Sequence, residues 1–168
     1  MNKQQEFLEL FNPIKDNLSR YCRSVSYSYD DAKDLMSETI LIAYQNFSQV
    51  LEKKAFLSYL FTIASRVNLK KKDKANKFDR IMDNDYAHYQ SIEESVDVNI
   101  LYKMLQKLPP KQAEAIVLFE VNGFSLDEIK EIQGGTLSGV KSRLKRARES
   151  LKLELNYLKL EKKSEVEI

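Results

Sequence analysis

The chain has 168 residues, of which 43% are hydrophobic and 31% charged, and its net charge is +2. That composition supplies a core for one ordinary domain or two small ones and belongs to the soluble globular class. No apolar run approaches the roughly 18 residues of a membrane span. With Cys22 the sole cysteine and His88 the sole histidine, an internal disulfide and a Cys/His zinc cluster are both excluded.

Helical spacing of apolar residues is strong along the chain and strand signals are weak. The N-terminal stretch is broken by charges in every turn, which is no signal peptide, so a cytoplasmic setting is expected. A first helix is expected over residues 4–25, with Phe7, Leu8, Phe11, Ile14, Leu18, Tyr21 and Val25 on one side and Pro13 as a kink or break. Cys22, beside Tyr21 on that apolar side, reads as a buried thiol. Asp30 is a candidate cap for a second helix over about 31–47. Its apolar side holds Leu35, Thr39, Ile42, Ala43 and Phe47, leaving Asp34, Ser37, Glu38 and Gln45 outside. A third helix starts near Ala55, with Leu57, Leu60, Phe61, Ala64 and Val67 inward and Tyr59, Thr62, Arg66 and Lys70 elsewhere on its circumference.

Charge then changes abruptly. Residues 66–80 carry seven basic side chains against Asp73 and Asp79, net +5, whereas residues 81–98 carry Asp83, Asp85, Glu93, Glu94 and Asp97 with no Lys or Arg. No apolar stripe persists over 81–97, which reads as a flexible acidic linker. Helical pattern resumes at 98–108 and stops at Pro109-Pro110; the next helix opens there, since proline is tolerated at the first helical position, and ends at Gly123.

Residues 125–148, SLDEIKEIQGGTLSGVKSRLKRAR, form the most informative stretch. Ser125 and Glu128 make a capping box, Gly134-Gly135 a turn, and Thr136 a cap for a second helix. In that helix Leu137, Val140, Leu144, Ala147 and Leu151 recur at inward spacing, while residues 136–152 carry six basic side chains against Glu149 alone. A helix-turn-helix presents its second helix to the DNA major groove in this way. A helical hairpin with a solvated basic face is the bland alternative. The tail after Leu160 reads as frayed. No phosphate loop, Ser/His/Asp set or paired acids can be placed on one site, so no residue takes a catalytic, cofactor or metal role.

Two segments, in order, resemble the extracytoplasmic-function (ECF) class of the sigma-70 family of RNA polymerase sigma factors. DAKDLMSETILIAYQNF with FLSYLFTIASRV is similar to region 2, and LPPKQAEAIVLFEVNGFSLDEIKEIQGGTLSGVKSRLKRARESL to region 4. The resemblance implies an all-α chain of two small helical domains: a region 2-like three-helix bundle over 1–80 and a region 4-like helix-turn-helix over 98–160. The 81–97 linker joins them and 161–168 is a tail. It implies core RNA polymerase and promoter DNA as partners, and an anti-sigma factor as a regulator. No cofactor, and no insertion into a membrane by the chain itself, is implied.

By the same resemblance Asp34, Leu35, Ser37, Glu38 and Leu41 would dock on core polymerase. Tyr59, Arg66, Lys70, Lys71, Lys72 and Lys74 would meet the −10 element and its unpaired strand, where cations suit phosphate and aromatic rings suit bases. Thr136, Ser138, Lys141, Ser142, Arg143, Lys145 and Arg146 would meet the −35 element. The chain departs from the family pattern at Tyr59, Arg66 and Lys70, where Trp, Asn and an Asp or Asn are common, and at Ser138-Gly139 in place of Gly-Thr. Base preferences are therefore not carried over. Five carboxylates in the linker suit either a nucleic-acid mimic in a basic channel or a solvated tether. A stand-alone helix-turn-helix regulator, dimerised through Leu151, Leu155 and Leu158, is the chief rival; a helical adaptor for a protein partner is the other.

Overall fold

The computed structural model describes residues 2–50, 52–79 and 96–166. Their regular structure is helical, in the order α1 (Lys3–Phe11), α2 (Lys15–Val25), α3 (Tyr29–Gln45), α4 (Phe56–Asp79), α5 (Val96–Gln106), α6 (Pro110–Ile116), α7 (Leu126–Gln133) and α8 (Leu137–Val166). The acidic linker lies outside the described residues except for Val96 and Asp97, which open α5.

Local chemistry sets the boundaries. Asn2 caps α1, its side chain accepting from the Gln5 N–H at 2.9 Å. Pro13 has no N–H to donate, and the chain passes through a 3-10 turn at Asn12–Ile14 before α2 begins. The expected first helix is therefore two. Ser28, not Asp30, caps α3: its extended backbone lets Oγ accept from the Asp31 N–H at 3.0 Å, and Asp30 falls inside the first turn.

In the first half the Phe7 ring meets Tyr44, Phe47 and Phe56 edge-on at centroid distances of 5.3, 5.4 and 5.5 Å, an arrangement favoured by the ring quadrupoles. These contacts pin α1 across α3 and the start of α4. Cys22 is buried, and loss of solvation pushes its thiol up to about 12. It is expected to react with a thiol reagent only after unfolding; a native and a denatured titration side by side check this.

The second half turns on its glycines. Helix α6 continues as a π-helical turn at Val117–Val121, closed by a bond from the Asn122 N–H to the Val117 carbonyl at 3.1 Å. Gly123 then reverses the chain at φ +74. The capping box of α7 forms as expected: Ser125 Oγ accepts from the Glu128 N–H at 3.2 Å and Glu128 from the Ser125 N–H at 2.8 Å. Gly134 and Gly135 adopt φ +73 and +91, a region unfavourable to residues with a Cβ. Thr136 caps α8, its Oγ1 accepting from the Gly139 N–H at 3.0 Å. Ser125→Ala is expected to cost about 1 kcal/mol and to lower Tm by about 2–4 °C in a circular-dichroism melt.

The halves dock face to face and share one continuous core. Phe61 of α4 packs on Phe124, just before α7, at 4.8 Å, and Asn122 donates to the Asn17 carbonyl of α2 at 2.9 Å. Beyond the expected fraying point at Leu160, α8 continues to Val166.

Candidate nucleic-acid interface

Helix α8 separates its core face from its outer face by register. At 3.6 residues per turn Ser138, Lys141, Ser142 and Lys145 fall within an arc of about 100°, and all four are exposed. Val140, Leu144 and Ala147, on the other side, are buried against a wall that includes Ile129 and Ile132 of α7 and Ala113 of α6. Arg146 stands exposed at the edge of the outer arc. Arg143 does not project with the rest. It sits about 140° from Ser138 around the axis, and its guanidinium folds back over Gly139, with Nη1 3.5 Å from where a Cβ would stand. Its Nε and Nη2 are buried without a hydrogen-bond partner.

Helix α4 carries a second cationic row. Arg66, Lys70, Lys74 and Lys77 recur at spacings of three or four residues, or multiples of them, so they lie along one side, and all are exposed. Lys71 stands off the row and pairs with Glu38 of α3 at 3.0 Å. That pair, with both side chains more than a third exposed, is worth little in stability. Tyr59 is half-buried: its hydroxyl donates to the Ala43 carbonyl at 3.3 Å, its ring tilts against Phe56 at 6.3 Å, and desolvation raises its pKa. Its hydroxyl and part of its ring are thus engaged within the first half.

Two candidates are not at the surface. Leu35 is 1% exposed and fills the core beneath α3. Its neighbours in the prediction, Asp34, Ser37, Glu38 and Leu41, share the outer side of α3, and Leu41 is 56% exposed. Next to them a shallow apolar groove between α1 and α3 is lined by Phe7, Leu8, Ile40, Leu41 and Tyr44. Lys72 is only 7% exposed. Eleven residues past Phe61, about three turns, it falls on Phe61's side of the helix, where the second half covers it. Its Nζ lies 5.0 Å from the Tyr27 ring centroid. Burial lowers its pKa, a shift opposed by the charge of Glu114.

Glu114 was not singled out by the sequence reading, yet it forms the centre of the contact between halves. Fully buried in α6, it accepts from the Tyr21 hydroxyl of α2 and from Gln133 Nε2 of α7 at 2.7 Å. Burial, and then the Glu114 charge, hold the Tyr21 phenol well above its usual pKa, so Tyr21 remains the donor. The signal was present: a lone acid inside the apolar run AEAIVLF needs buried partners.

Among the described residues no group of three or more His, Cys, Asp or Glu side chains could hold a metal ion. None of their helices is long and apolar enough to cross a membrane.

Comparison with known proteins identifies the two halves. The sigma-70 region 2 family model matches residues 10–78 and the sigma-70 region 4 model residues 99–151. The ECF RNA polymerase sigma factor EcfG of Rhodopseudomonas palustris is 29% identical over 80% of this chain and 77% of its own length. The ECF RNA polymerase sigma factor SigW of Bacillus subtilis is 26% identical over 92% and 91%. Among solved structures, the sigma factor RpoE of Bartonella quintana, in complex with the anti-sigma factor NepR, superposes with a TM-score of 0.73 at 27% identity, covering 91% of this chain and 96% of that one. With both regions matched in order, this chain belongs to the ECF class of the sigma-70 family, the sigma factors that bind core RNA polymerase and direct transcription initiation at promoters.

Proposed function

We propose that three exposed helix faces divide the work of initiation. The outer side of α3, with Asp34, Ser37, Glu38, Leu41 and the groove beside them, takes core polymerase: acidic groups steer and two exposed leucines, Leu8 and Leu41, add buried area. The α4 row of Arg66, Lys70, Lys74 and Lys77, flanked by Lys71, takes the −10 element and its unpaired strand through phosphates. On α8 the arc of Ser138, Lys141, Ser142 and Lys145, flanked by Arg146 and begun at Thr136, enters the −35 major groove, where lysine suits guanine O6 and N7. Arg143 braces the helix from the side and is left out of base contact. The observation carrying this reading is register: in three separate helices the candidate polar and basic residues, with Lys71, Lys72 and Arg143 set apart, fall on one exposed side, opposite a buried one.

An anti-sigma factor is the protein expected to hold such a chain inactive, as the RpoE complex with NepR suggests by likeness. The stand-alone regulator needs a dimer seam. Leu151, Leu155 and Leu158 offer a short one at the end of α8, and nothing on the DNA faces calls for it.

Position-specific cleavage tests the division of labour. A hydroxyl-radical-generating chelate is attached at Ser142→Cys, Lys74→Cys or Ser37→Cys in a Cys22→Ala background and assembled with core polymerase and promoter. The first is expected to cut DNA around −35, the second around −10, and the third the largest polymerase subunit. Cutting of one DNA region from both Ser142 and Lys74 would remove the assignment.

A further inference from the structure

Of the chain's four glycines, Gly123, Gly134 and Gly135 adopt positive φ and serve turns. Gly139 does not. It sits in the first turn of α8, in ordinary helical backbone, where glycine is a poorer choice than alanine. Backbone freedom gives no reason for it there, and room does. A Cβ at 139 would stand 3.3 Å from Thr136 Oγ1 and 3.5 Å from Arg143 Nη1. The Thr136 hydroxyl is committed to its place, since it caps the helix by accepting from the Gly139 N–H at 3.0 Å.

Arg143, one turn further on, uses that room. Long side chains on a helix lean towards its N-terminus, over the residue four places back, and for Arg143 that residue is Gly139. Its neighbours Lys141, Lys145 and Arg146 are exposed, whereas Arg143 is half-buried. Its Nε and Nη2 are shut away from solvent and have no hydrogen-bond partner. A guanidinium stays charged at any working pH, and buried donors left unpaired are costly. No bond holds those two nitrogens, so the seat depends on shape, and crowding at 139 displaces the guanidinium readily. Arginine is also the side chain best suited to guanine, gripping O6 and N7 with its fork. Where this one lies therefore matters for what α8 reads.

We propose that Gly139 is a specificity-determining position: it seats the Arg143 guanidinium against α8, keeps it out of the −35 groove, and leaves recognition to Lys141, Ser142 and Lys145. The inference rests on the −35 reading of α8 proposed above and extends it to the residue that sets which side chains take part. A branched residue at 139 adds two atoms, each roughly 1.5 Å beyond the Cβ, to a space bounded by Thr136 and Arg143. The guanidinium then leaves its seat and swings towards the outer arc. Alanine adds the Cβ alone, which makes ordinary contact with Arg143 Nη1 and asks Thr136 to yield by a few tenths of an ångström. Size at 139 decides the outcome, and loss of the glycine backbone does not.

The test compares full-length parent, Arg143→Ala, Gly139→Ala, Gly139→Val, and Gly139→Val combined with Arg143→Ala. Each is mixed with core polymerase and promoter templates randomised across the −35 element, and the templates that yield transcripts are sequenced. Parent, Arg143→Ala and Gly139→Ala are expected to select the same −35 sequence. Gly139→Val is expected to gain at least about fivefold enrichment for guanine at one further position, and the double variant to lose that gain. A changed selection by Arg143→Ala alone, an unchanged one by Gly139→Val, the same gain with Gly139→Ala, or a gain that survives in the double variant overturns the proposal. Nitrogen-15 NMR of the free chains reads the seat without DNA. The Arg143 Nε–H signal, assigned by its absence from Arg143→Ala, is expected to be protected from water exchange in the parent and in Gly139→Ala, and to exchange rapidly in Gly139→Val. Rapid exchange in the parent overturns the seat as well. A protected signal in a chain that selects no −35 sequence in any form keeps the seat and sinks the −35 reading of α8 instead, so the two failures are separable.

Discussion

Phe61→Ala is expected to lower the unfolding free energy by about 3–5 kcal/mol, the range for truncating a buried phenylalanine. The Phe61 ring is wholly excluded from solvent and meets Tyr21 at 5.4 Å and Phe124 at 4.8 Å, both edge-on. Each such pair adds about 0.5–1.5 kcal/mol beyond area burial, and close-packed neighbours relax only partly into the void. At this chain length the loss corresponds to a fall in Tm of about 6–20 °C. Since Phe61 touches both halves, calorimetry should show one unfolding transition for the parent chain and a lower or divided one for the variant. A shift of under 2 °C would place Phe61 outside the core.

Lys141→Glu with Lys145→Glu is expected to reduce initiation at a −35-dependent promoter by at least about 100-fold at physiological salt. Each lysine lost removes a contact worth about 1–3 kcal/mol if it reads a base, or one unit of salt dependence if it holds a phosphate; each glutamate adds repulsion. Both positions are exposed, on the side of α8 away from Val140, Leu144 and Ala147, so the melt should stay within 2 °C or so of the parent. Transcription is compared on templates with the −35 element intact and scrambled, across a salt series. The variant should behave on the intact template as the parent does on the scrambled one. An equal loss on both templates would move these lysines off the −35 element.

Periodicity made legible whatever depends on position along one helix. The stripe of Val140, Leu144 and Ala147, the outer side of α3 and the exposed row from Arg66 to Lys74 all follow from a 3.6-residue repeat. Paired caps were legible too, because Ser125, Glu128 and the two glycines fix a turn among themselves. Single caps were less so: Ser28 and Asp30 are both competent, and the extended backbone at Ser28 decides between them. Pro13 announced a disturbance without saying whether it kinks or breaks the helix. The continuation of α8 to Val166 depends on good helix formers after Leu160 that carry no apolar stripe.

Leu35 and Lys72 are buried although resemblance groups them with surface residues, and periodicity had already set Leu35 on the inward side of its helix. Each was grouped with its neighbours by resemblance to the family's motifs, whereas burial follows from the angle around the helix. Lys72 repeats Phe61 after about three turns, so its side was readable; what covers it was not. Contacts between halves, such as Tyr21 with Glu114, join residues 93 apart in the chain, and no local pattern encodes which distant residue completes a buried carboxylate. The acid within AEAIVLF marks the need for a partner and leaves its identity to the fold.

The central claim is that this chain gives core polymerase its promoters. Mixing purified chain with core enzyme, a library of promoter templates and nucleotides, and then sequencing the 5′ ends of the transcripts, tests it most directly. The expected result is a set of discrete start sites, absent without the chain, sharing one sequence element about 10 and another about 35 base pairs upstream. Failure of the chain to associate with core enzyme, or 5′ ends that are the same with and without it, would contradict the assignment.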